Sequence, residues 1–174
     1  MILTGKKIRQ EVLNNNIHIK PFDQNFINPN SYNYRLGGEI LENQDAIIEA
    51  RKKGTFKKIH LCDDGFTLLP HKLYLGSTLE EIGSDMYVTT LIGRSSIGRL
   101  GLFVQITADL GHQGSKNCWT LEFKVVQPLK IYPGMIIGQV CFWNVLGNQP
   151  KFYDGKYAQH LHPHPSKFYQ EFNK

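Results

Sequence analysis

The chain has 174 residues, of which 41% are hydrophobic and 20% are charged, and these values are typical of one soluble globular domain. It lacks an apolar run near the roughly 18 residues of a membrane span. Lys6, Lys7 and Arg9 do not fit a secretory signal. We therefore expect a cytoplasmic protein (in the host cytoplasm if it is viral) with no membrane partner. The net charge of +5 fits a polyanionic small ligand, and because no nucleic-acid-binding motif accompanies the basic cluster at 51–58, we expect no nucleic-acid partner.

Short strands separated by turn residues dominate the predicted secondary structure. Thr4 predicts the start of a short helix with Ile8 and Val12 on one face, and the asparagine run at 14–16 ends it. His18 begins extended structure. Further strands are predicted where β-branched and aromatic residues concentrate, at 66–69, 73–75, 87–91, 102–106, 118–126, 129–131 and 136–145. Regularly spaced short strands favour a sandwich or a barrel.

The chain end predicts a tail rather than another domain. We expect a single domain over residues 1–174, with 150–174 as a C-terminal tail. His160, His162 and His164 alternate there with prolines, which favours an extended polar segment over a metal site. Such tails stay mobile until a ligand or a neighbour orders them.

A lone carboxylate marks the candidate functional site. Glu122 stands in an apolar segment between Leu121 and Phe123, and a carboxylate there is costly unless it is paired. The turn-like segment 93–102 supplies two arginines and two serines, which would provide that pairing and a polar pocket for anions and water. The alternative is a purely structural carboxylate paired with an arginine.

The sequence does not predict a metal-dependent enzyme. Zinc deaminases need His-x-Glu and Cys-x-x-Cys, whereas no histidine here precedes x-Glu and the three cysteines are dispersed. Phosphate-binding glycine motifs are also absent. We expect no catalytic cofactor, although Mg²⁺ can accompany a bound triphosphate through the phosphate oxygens.

Eight segments in order resemble one known family. GRSSIGRLGL at 93–102 and WTLEF at 119–123 are similar to the central motifs of the dCTP deaminase branch of the dUTPase-like superfamily. The other similar segments are MILTGKKI (1–8), HIKPFDQNFINPNSYNYRLG (18–37), STLEEI (77–82), QITA (105–108), IYPGMIIGQVCFW (131–143) and DGKY (154–157). The resemblance implies a distorted jelly-roll β-barrel of the dUTPase-like type, a short N-terminal helix and a homotrimer.

The resemblance also assigns catalytic roles. Glu122 would move protons during hydrolytic deamination of the cytosine ring, since one carboxylate can act first as base and then as acid. Ser95 and Arg99 would position water and stabilise charge. Arg94 and Ser96 would contact phosphate. Sites of this family form between subunits, so Arg99 would serve a neighbour's pocket.

Further substrate contacts follow from the same resemblance. The backbone of Thr120 and Leu121 would bind the pyrimidine edge as an added strand does. Gln139 is a polar contact from an adjacent strand, or an ordinary strand amide. Tyr153 and Lys156 match the family's triphosphate contacts in the tail that closes over the ligand.

Three positions depart from the family pattern. His112 stands where the family has an aspartate that contacts the sugar and, in diphosphate-releasing relatives, helps to activate water. A neutral imidazole cannot supply that charge. Asn117 replaces a common glycine, and His160 falls where a tail glutamine is expected, with Gln159 beside it. These changes argue against pyrophosphate release and suggest an altered substrate.

The expected activity is therefore the hydrolysis of dCTP to dUTP and ammonia. The alternatives are a bifunctional enzyme that gives dUMP, a deaminase of a modified or ribose cytosine nucleotide, and a catalytically silent nucleotide-binding trimer. The expected partners are the nucleotide and further copies of the chain.

Overall fold

An N-terminal helix opens the fold, as the sequence predicts. The computed structural model describes residues 1–105, 107–147, 151–158 and 160–172. Helix α1 spans Gly5–Leu13, and the side chain of Thr4 caps it by accepting a hydrogen bond from the Lys7 amide at 3.3 Å. Asn14 forms the C-cap. None of the described helices is long and apolar enough to cross a membrane.

Short strands make up most of the remaining structure. A second short helix, α2, spans Ser95–Gly98, and 3₁₀ turns cover Gln24–Phe26 and Phe168–Phe172. The described strands are β1 (His18–Lys20), β2 (Tyr32–Arg35), β3 (Glu39–Asn43), β4 (Phe56–His60), β5 (Phe66–Leu68), β6 (Tyr74–Gly83), β7 (Tyr87–Gly93), β8 (Leu102–Gln105), β9 (Leu110–Gly111), β10 (Lys116–Val125), β11 (Leu129–Ile131) and β12 (Ile136–Asn144).

Three sheets arise from these strands. The largest has the order β4-β3-β6-β10-β8, with β1 also paired to β6. A four-stranded sheet has the order β2-β12-β7-β9, and β11 pairs with β5 alone. Every pairing is antiparallel, and β6 and β10 form the long central pair of the largest sheet.

The core lies among these sheets and the helix. Tyr32, Tyr34, Ile40, Ile82 and Phe142 are fully buried, and they come from both larger sheets. Alternate residues of each strand supply these side chains, because successive side chains in a strand point to opposite faces. The other faces of the strands remain available for polar and functional residues.

The prediction of a mainly β chain is confirmed, but that of a closed barrel is not. Within the described ranges the strand orders are open, with β4 and β8 at the edges of the largest sheet. The predicted strands at 73–75 and 118–126 overlap the longer strands β6 and β10 but begin or end one residue outside them. Strands β2, β3 and β4 were not predicted. Ile106, predicted to end a strand, lies outside the described residues.

Candidate active site

Glu122 lies in the last described pair of the ladder between β10 and β8. Strand β10 pairs with β6 from Lys116 to Phe123, and its described pairs with β8 run from Glu122, opposite Gln105, to Val125. Thr107, the next described residue after β8, makes no ladder pair with Thr120. The described pairing of β10 with β8 therefore reaches the carboxylate.

The half-buried Glu122 side chain has a hydroxyl partner. Thr107, just beyond β8, donates its hydroxyl to Glu122 Oε2 at 2.8 Å and its amide to the same oxygen at 3.3 Å. The expectation that a guanidinium pairs with Glu122 is wrong within one chain, since none of the ion pairs among the described residues involves it.

A cavity of about 560 Å³ opens beside Glu122. Most of its walls come from strand β10, from the segment between β3 and β4 with the first residue of β4, and from the tail, and Leu73, Leu75 and Ala108 also contribute. The residues from these parts include Ile48, Glu49, Lys52 and Phe56, then Asn117, Trp119, Thr120 and Glu122, and then Tyr157, His160, His164, Phe168 and Tyr169. This volume suits a small molecule with a ring.

The tail is hydrogen-bonded to the edge of β10 that borders this cavity. His160 accepts a hydrogen bond from the Cys118 amide at 2.8 Å through its carbonyl and donates its amide to Asn117 Oδ1 at 2.9 Å. The His164 amide donates to Thr120 Oγ1 at 3.1 Å. Burial lowers the pKa of His160, although a hydrogen bond to the Lys156 carbonyl opposes it; the nearby charges of His164 and Lys167 lower the pKa further. The ring of His160 is therefore mostly neutral at pH 7.

A second tail contact lies on the outer face of the largest sheet. His162 Nδ1 is 3.1 Å from Glu39 Oε2, and Lys58 Nζ is 2.6 Å from Glu39 Oε1. The hydrogen bond from Lys58 lowers the pKa of Glu39 against the effect of burial, and His162 and His60 add to it. The carboxylate of Glu39 is thus charged near neutral pH and lies against the tail at His162.

The arginine and serine motif lies outside the Glu122 cavity. Arg94 is the N-cap of α2, and Ser95, Ser96 and Arg99 are exposed around that helix. Gly101, with φ of +79°, then turns the chain into β8, where a Cβ would lie 2.4 Å from Val126. In the part of the chain that the structure describes, none of these four side chains lines the cavity.

Gln139 supports the start of that motif. It lies in β12 opposite Ile92 of β7, accepts a hydrogen bond from the Ser31 hydroxyl at 2.7 Å, and donates to the Gly93 carbonyl at 3.5 Å. Tyr34 of β2, the other neighbour of β12, donates its hydroxyl to the Ile92 carbonyl at 3.2 Å. Gln139 therefore braces the strand end from which Arg94 departs and does not line the Glu122 cavity within one chain.

His112 and Tyr153 form a separate pocket of about 570 Å³. Their rings stack with centroids 5.4 Å apart, and the Tyr153 amide donates to the Gln113 carbonyl at 3.0 Å. Lys156 forms an ion pair with Glu171, and its Nζ lies 5.6 Å from the centroid of the Tyr157 ring. Placing His112 in the same pocket as Glu122 is therefore wrong for a single chain.

The structure brings together only some of the predicted residues. Glu122, Thr120 and His160 line one cavity. Leu121 is fully buried, so only its backbone is available to a ligand. Gln159, the alternative to His160, lies outside the described residues. The described residues contain no group of three or more histidine, cysteine or acidic side chains arranged to hold a metal ion.

Sequence reasoning missed two contributors to the candidate site. Thr107, whose hydroxyl reaches Glu122, belongs to the QITA segment, to which no role was assigned. The segment between β3 and β4, which contributes Ile48 and Glu49 to the cavity, gave no signal because it lacks a motif and a clear periodicity.

Known proteins resemble this chain over its whole length. A family model described as dCTP deaminase-like matches residues 2–145. A Hathewaya histolytica protein named "dCTP deaminase, dUMP-forming" is 44% identical over 172 residues, which cover 99% of each chain. A protein of the same name from Clostridium beijerinckii is 42% identical and covers 100% of both chains. A "dCTP deaminase" from Rhodopirellula baltica is 39% identical over 98% of this chain and 86% of its own.

A solved structure shares the fold. The crystal structure of 2'-deoxycytidine 5'-triphosphate deaminase from Agrobacterium tumefaciens matches with a TM-score of 0.64 at 20% identity. The match covers 81% of this chain and 46% of the solved chain, so the present chain spans about half the length of that protein.

Proposed function

Because the chain belongs to the dCTP deaminase family, we propose that it converts dCTP and two water molecules to dUMP, ammonia and pyrophosphate. The dUTP product expected from the sequence is corrected to dUMP, since full-length relatives at 41–44% identity carry dUMP-forming names. The loss of an aspartate at His112 was therefore a poor guide to the product. The observation that carries the deamination is the half-buried Glu122 in a ring-sized cavity.

Glu122 supplies the proton transfers of deamination. Water adds to C4 of cytosine, one of its protons passes to N3 and the other to the departing amino group, and the C4–N bond breaks. A carboxylate beside C4 can take and return these protons in turn. Glu122 lines the cavity and lies between the buried side chains of Leu121 and Phe123, which is the arrangement that this task needs.

The β10 backbone beside the cavity is suited to recognition of the base. In this proposal the backbone groups of Thr120, which lines the cavity, and of neighbouring Leu121 bind the donors and acceptors of a pyrimidine edge. From the tail, the His164 amide donates a hydrogen bond to the Thr120 hydroxyl oxygen, and the His160 carbonyl accepts one from the Cys118 amide. These contacts also support residues 150–174 as a tail that closes over the site of a single domain.

A neighbouring subunit completes the site in this proposal. Arg94, Ser95, Ser96 and Arg99 carry the anion-binding chemistry yet lie outside the Glu122 cavity. A homotrimer of the dUTPase-like jelly-roll type would bring the motif of one subunit to the cavity of the next. Phosphates would then lie among Arg94, Ser96, Tyr153 and Lys156, with any Mg²⁺ held by the phosphate oxygens.

Glu122→Gln tests the role of the carboxylate. The amide keeps the size and the hydrogen bonding of Glu122 but cannot carry a proton, so we expect ligand binding within about threefold of wild type and a loss of deamination by a factor of roughly 10²–10⁴. Glu81→Gln is the control, because Glu81 lies in β6 and pairs with His18 at 3.1 Å. Near-wild-type turnover by Glu122→Gln would remove Glu122 from the mechanism.

A further inference from the structure

Thr107 holds one oxygen of Glu122 and leaves the other free of described donors. Both hydrogen bonds that Glu122 accepts from described residues end on Oε2, at 2.8 Å from the Thr107 hydroxyl and at 3.3 Å from its amide. The two carboxylate oxygens are therefore chemically different in the folded protein, although they are equivalent in free glutamate.

Donors on one oxygen decide where a proton binds. A hydrogen bond to a charged oxygen stabilises the negative charge there, and protonation of that oxygen would cost part of this stabilisation. Protonation at Oε2 is thus disfavoured by two donors. Oε1 becomes the oxygen that accepts and returns a proton.

Thr107 follows the described part of the β8 ladder closely. The last described pair of this ladder is Gln105 opposite Glu122. Two further pairs along this ladder would bring Thr107 opposite Thr120. Instead, Thr107 turns to the Glu122 side chain, and the backbone of Thr120 stays out of that ladder.

We infer that Thr107 is a positioning residue for the deamination proposed above, on which this inference rests, and that it makes Glu122 Oε1 the proton-carrying atom. During turnover, Oε1 takes a proton from the water that attacks C4 and delivers it to N3. It then takes the second proton of the same oxygen and delivers it to the leaving amino group. The new C4–O bond replaces the C4–N bond, and neither the carboxylate nor Thr107 changes overall.

Thr107→Val and Thr107→Ser form the matched test. Valine keeps the branched shape and the amide but loses the hydroxyl, whereas serine keeps the hydroxyl. We expect Thr107→Val to lower kcat about tenfold with little change in KM, and Thr107→Ser to stay within about threefold of wild type. Thr67→Val, at an exposed position of β5, is the control for the substitution itself.

The pH dependence of kcat/KM distinguishes this positioning role from a purely structural one, which would leave that dependence unchanged. Losing a donor to the charged carboxylate favours its protonated form, so the acidic limb of kcat/KM should move to higher pH in Thr107→Val. Thr107→Ser should keep the wild-type limb. Crystal structures of the ligand-free variants should show Glu122 in its wild-type rotamer in Thr107→Ser and displaced from residue 107 in Thr107→Val.

The outcomes separate this inference from the proposed function. A wild-type protein that releases no ammonia from dCTP would overturn the proposed function and this role with it. Ammonia release with an unchanged kcat and acidic limb in Thr107→Val would overturn only the role of Thr107. Equal losses in Thr107→Val and Thr107→Ser would also overturn it, because packing rather than the hydroxyl would then be responsible.

Discussion

Replacing Glu11 with glutamine is expected to destabilise the protein at neutral pH and to have little effect in acid. Glu11 is 3% exposed although it lies in α1. Its carboxylate accepts hydrogen bonds from Asn16 at 2.8 Å and Tyr87 at 2.9 Å, and it pairs with Lys7 at 2.8 Å. Tyr87 lies in β7, so this cluster ties the helix to the sheet.

The size of the effect follows from the carboxyl group's pKa. The hydrogen bond from Lys7, followed by that from Asn16, lowers the pKa of Glu11 from 4.5 to about 2, against the opposing effect of burial and with a further hydrogen bond from Tyr87. A shift of that size corresponds to about 3 kcal/mol. Glutamine keeps part of the hydrogen bonding, so we expect a loss of about 2 kcal/mol. For a chain of this length, that is about 4–8 °C in melting temperature.

The stabilisation by Glu11 depends on pH in a direction that its pKa sets. Because the folded pKa of Glu11 is depressed, its stabilisation is fully present above pH 4.5, and it is lost as the pH falls toward 2. Thermal unfolding of wild type and Glu11→Gln at one protein concentration should therefore show a gap at pH 7 that closes between about pH 4.5 and pH 2. Glu49→Gln, which removes a surface pair with Lys52, should melt within about 1 °C of wild type. Equal melting temperatures of wild type and Glu11→Gln at pH 7, or a difference that does not change with pH, would refute the reasoning.

Three further outcomes concern the site. Mixing inactive Arg99→Ala with inactive Glu122→Gln subunits should restore part of the deamination rate, and equilibrium sedimentation should show a trimer; an active monomer would contradict the shared site. His112→Asp should raise the ratio of kcat/KM for dCTP to that for CTP about tenfold, and an unchanged ratio would mean that His112 does not face the sugar. Glu39→Gln should loosen the tail at His162 and raise KM for dCTP several-fold with a smaller effect on kcat; an unchanged KM would show that this contact does not hold the tail.

Local signals explain the elements that could be predicted from the sequence. The Thr4 cap and the helical spacing of Ile8 and Val12 are contained within a few residues, and α1 is found where they place it. Segments rich in β-branched and aromatic residues between turn residues likewise became β7, β11 and β12.

Long-range pairing explains what the sequence could not show. Strand β3 carries two glutamates and β4 carries two adjacent lysines, and neither has a clear strand pattern. Their place in the sheet depends on the pairing of Leu41 with Leu75, which is far away in the sequence. Glu42 is buried in β3 because Lys72, thirty residues later, pairs with it. Neither a propensity scale nor a local pattern contains that information.

In the candidate site too, local sequence signals predict some residues and long-range pairing determines the others. Glu122 could be predicted because a carboxylate in an apolar strand demands a partner. Its partner was expected to be an arginine of the 93–102 segment, yet the end of β8 delivers Thr107 instead. His112 and Glu122 are ten residues apart in the sequence, but they line different pockets because β9 and β10 belong to different sheets.

The products formed from dCTP test the central claim most directly. The purified protein is incubated with dCTP, nucleotides are separated by anion-exchange chromatography, and ammonia and pyrophosphate are measured in the same samples. We predict dUMP, ammonia and pyrophosphate in equal amounts, with no accumulation of dUTP, and none of the three from Glu122→Gln. Accumulation of dUTP without pyrophosphate, or an absence of ammonia from the wild-type protein, would contradict the account.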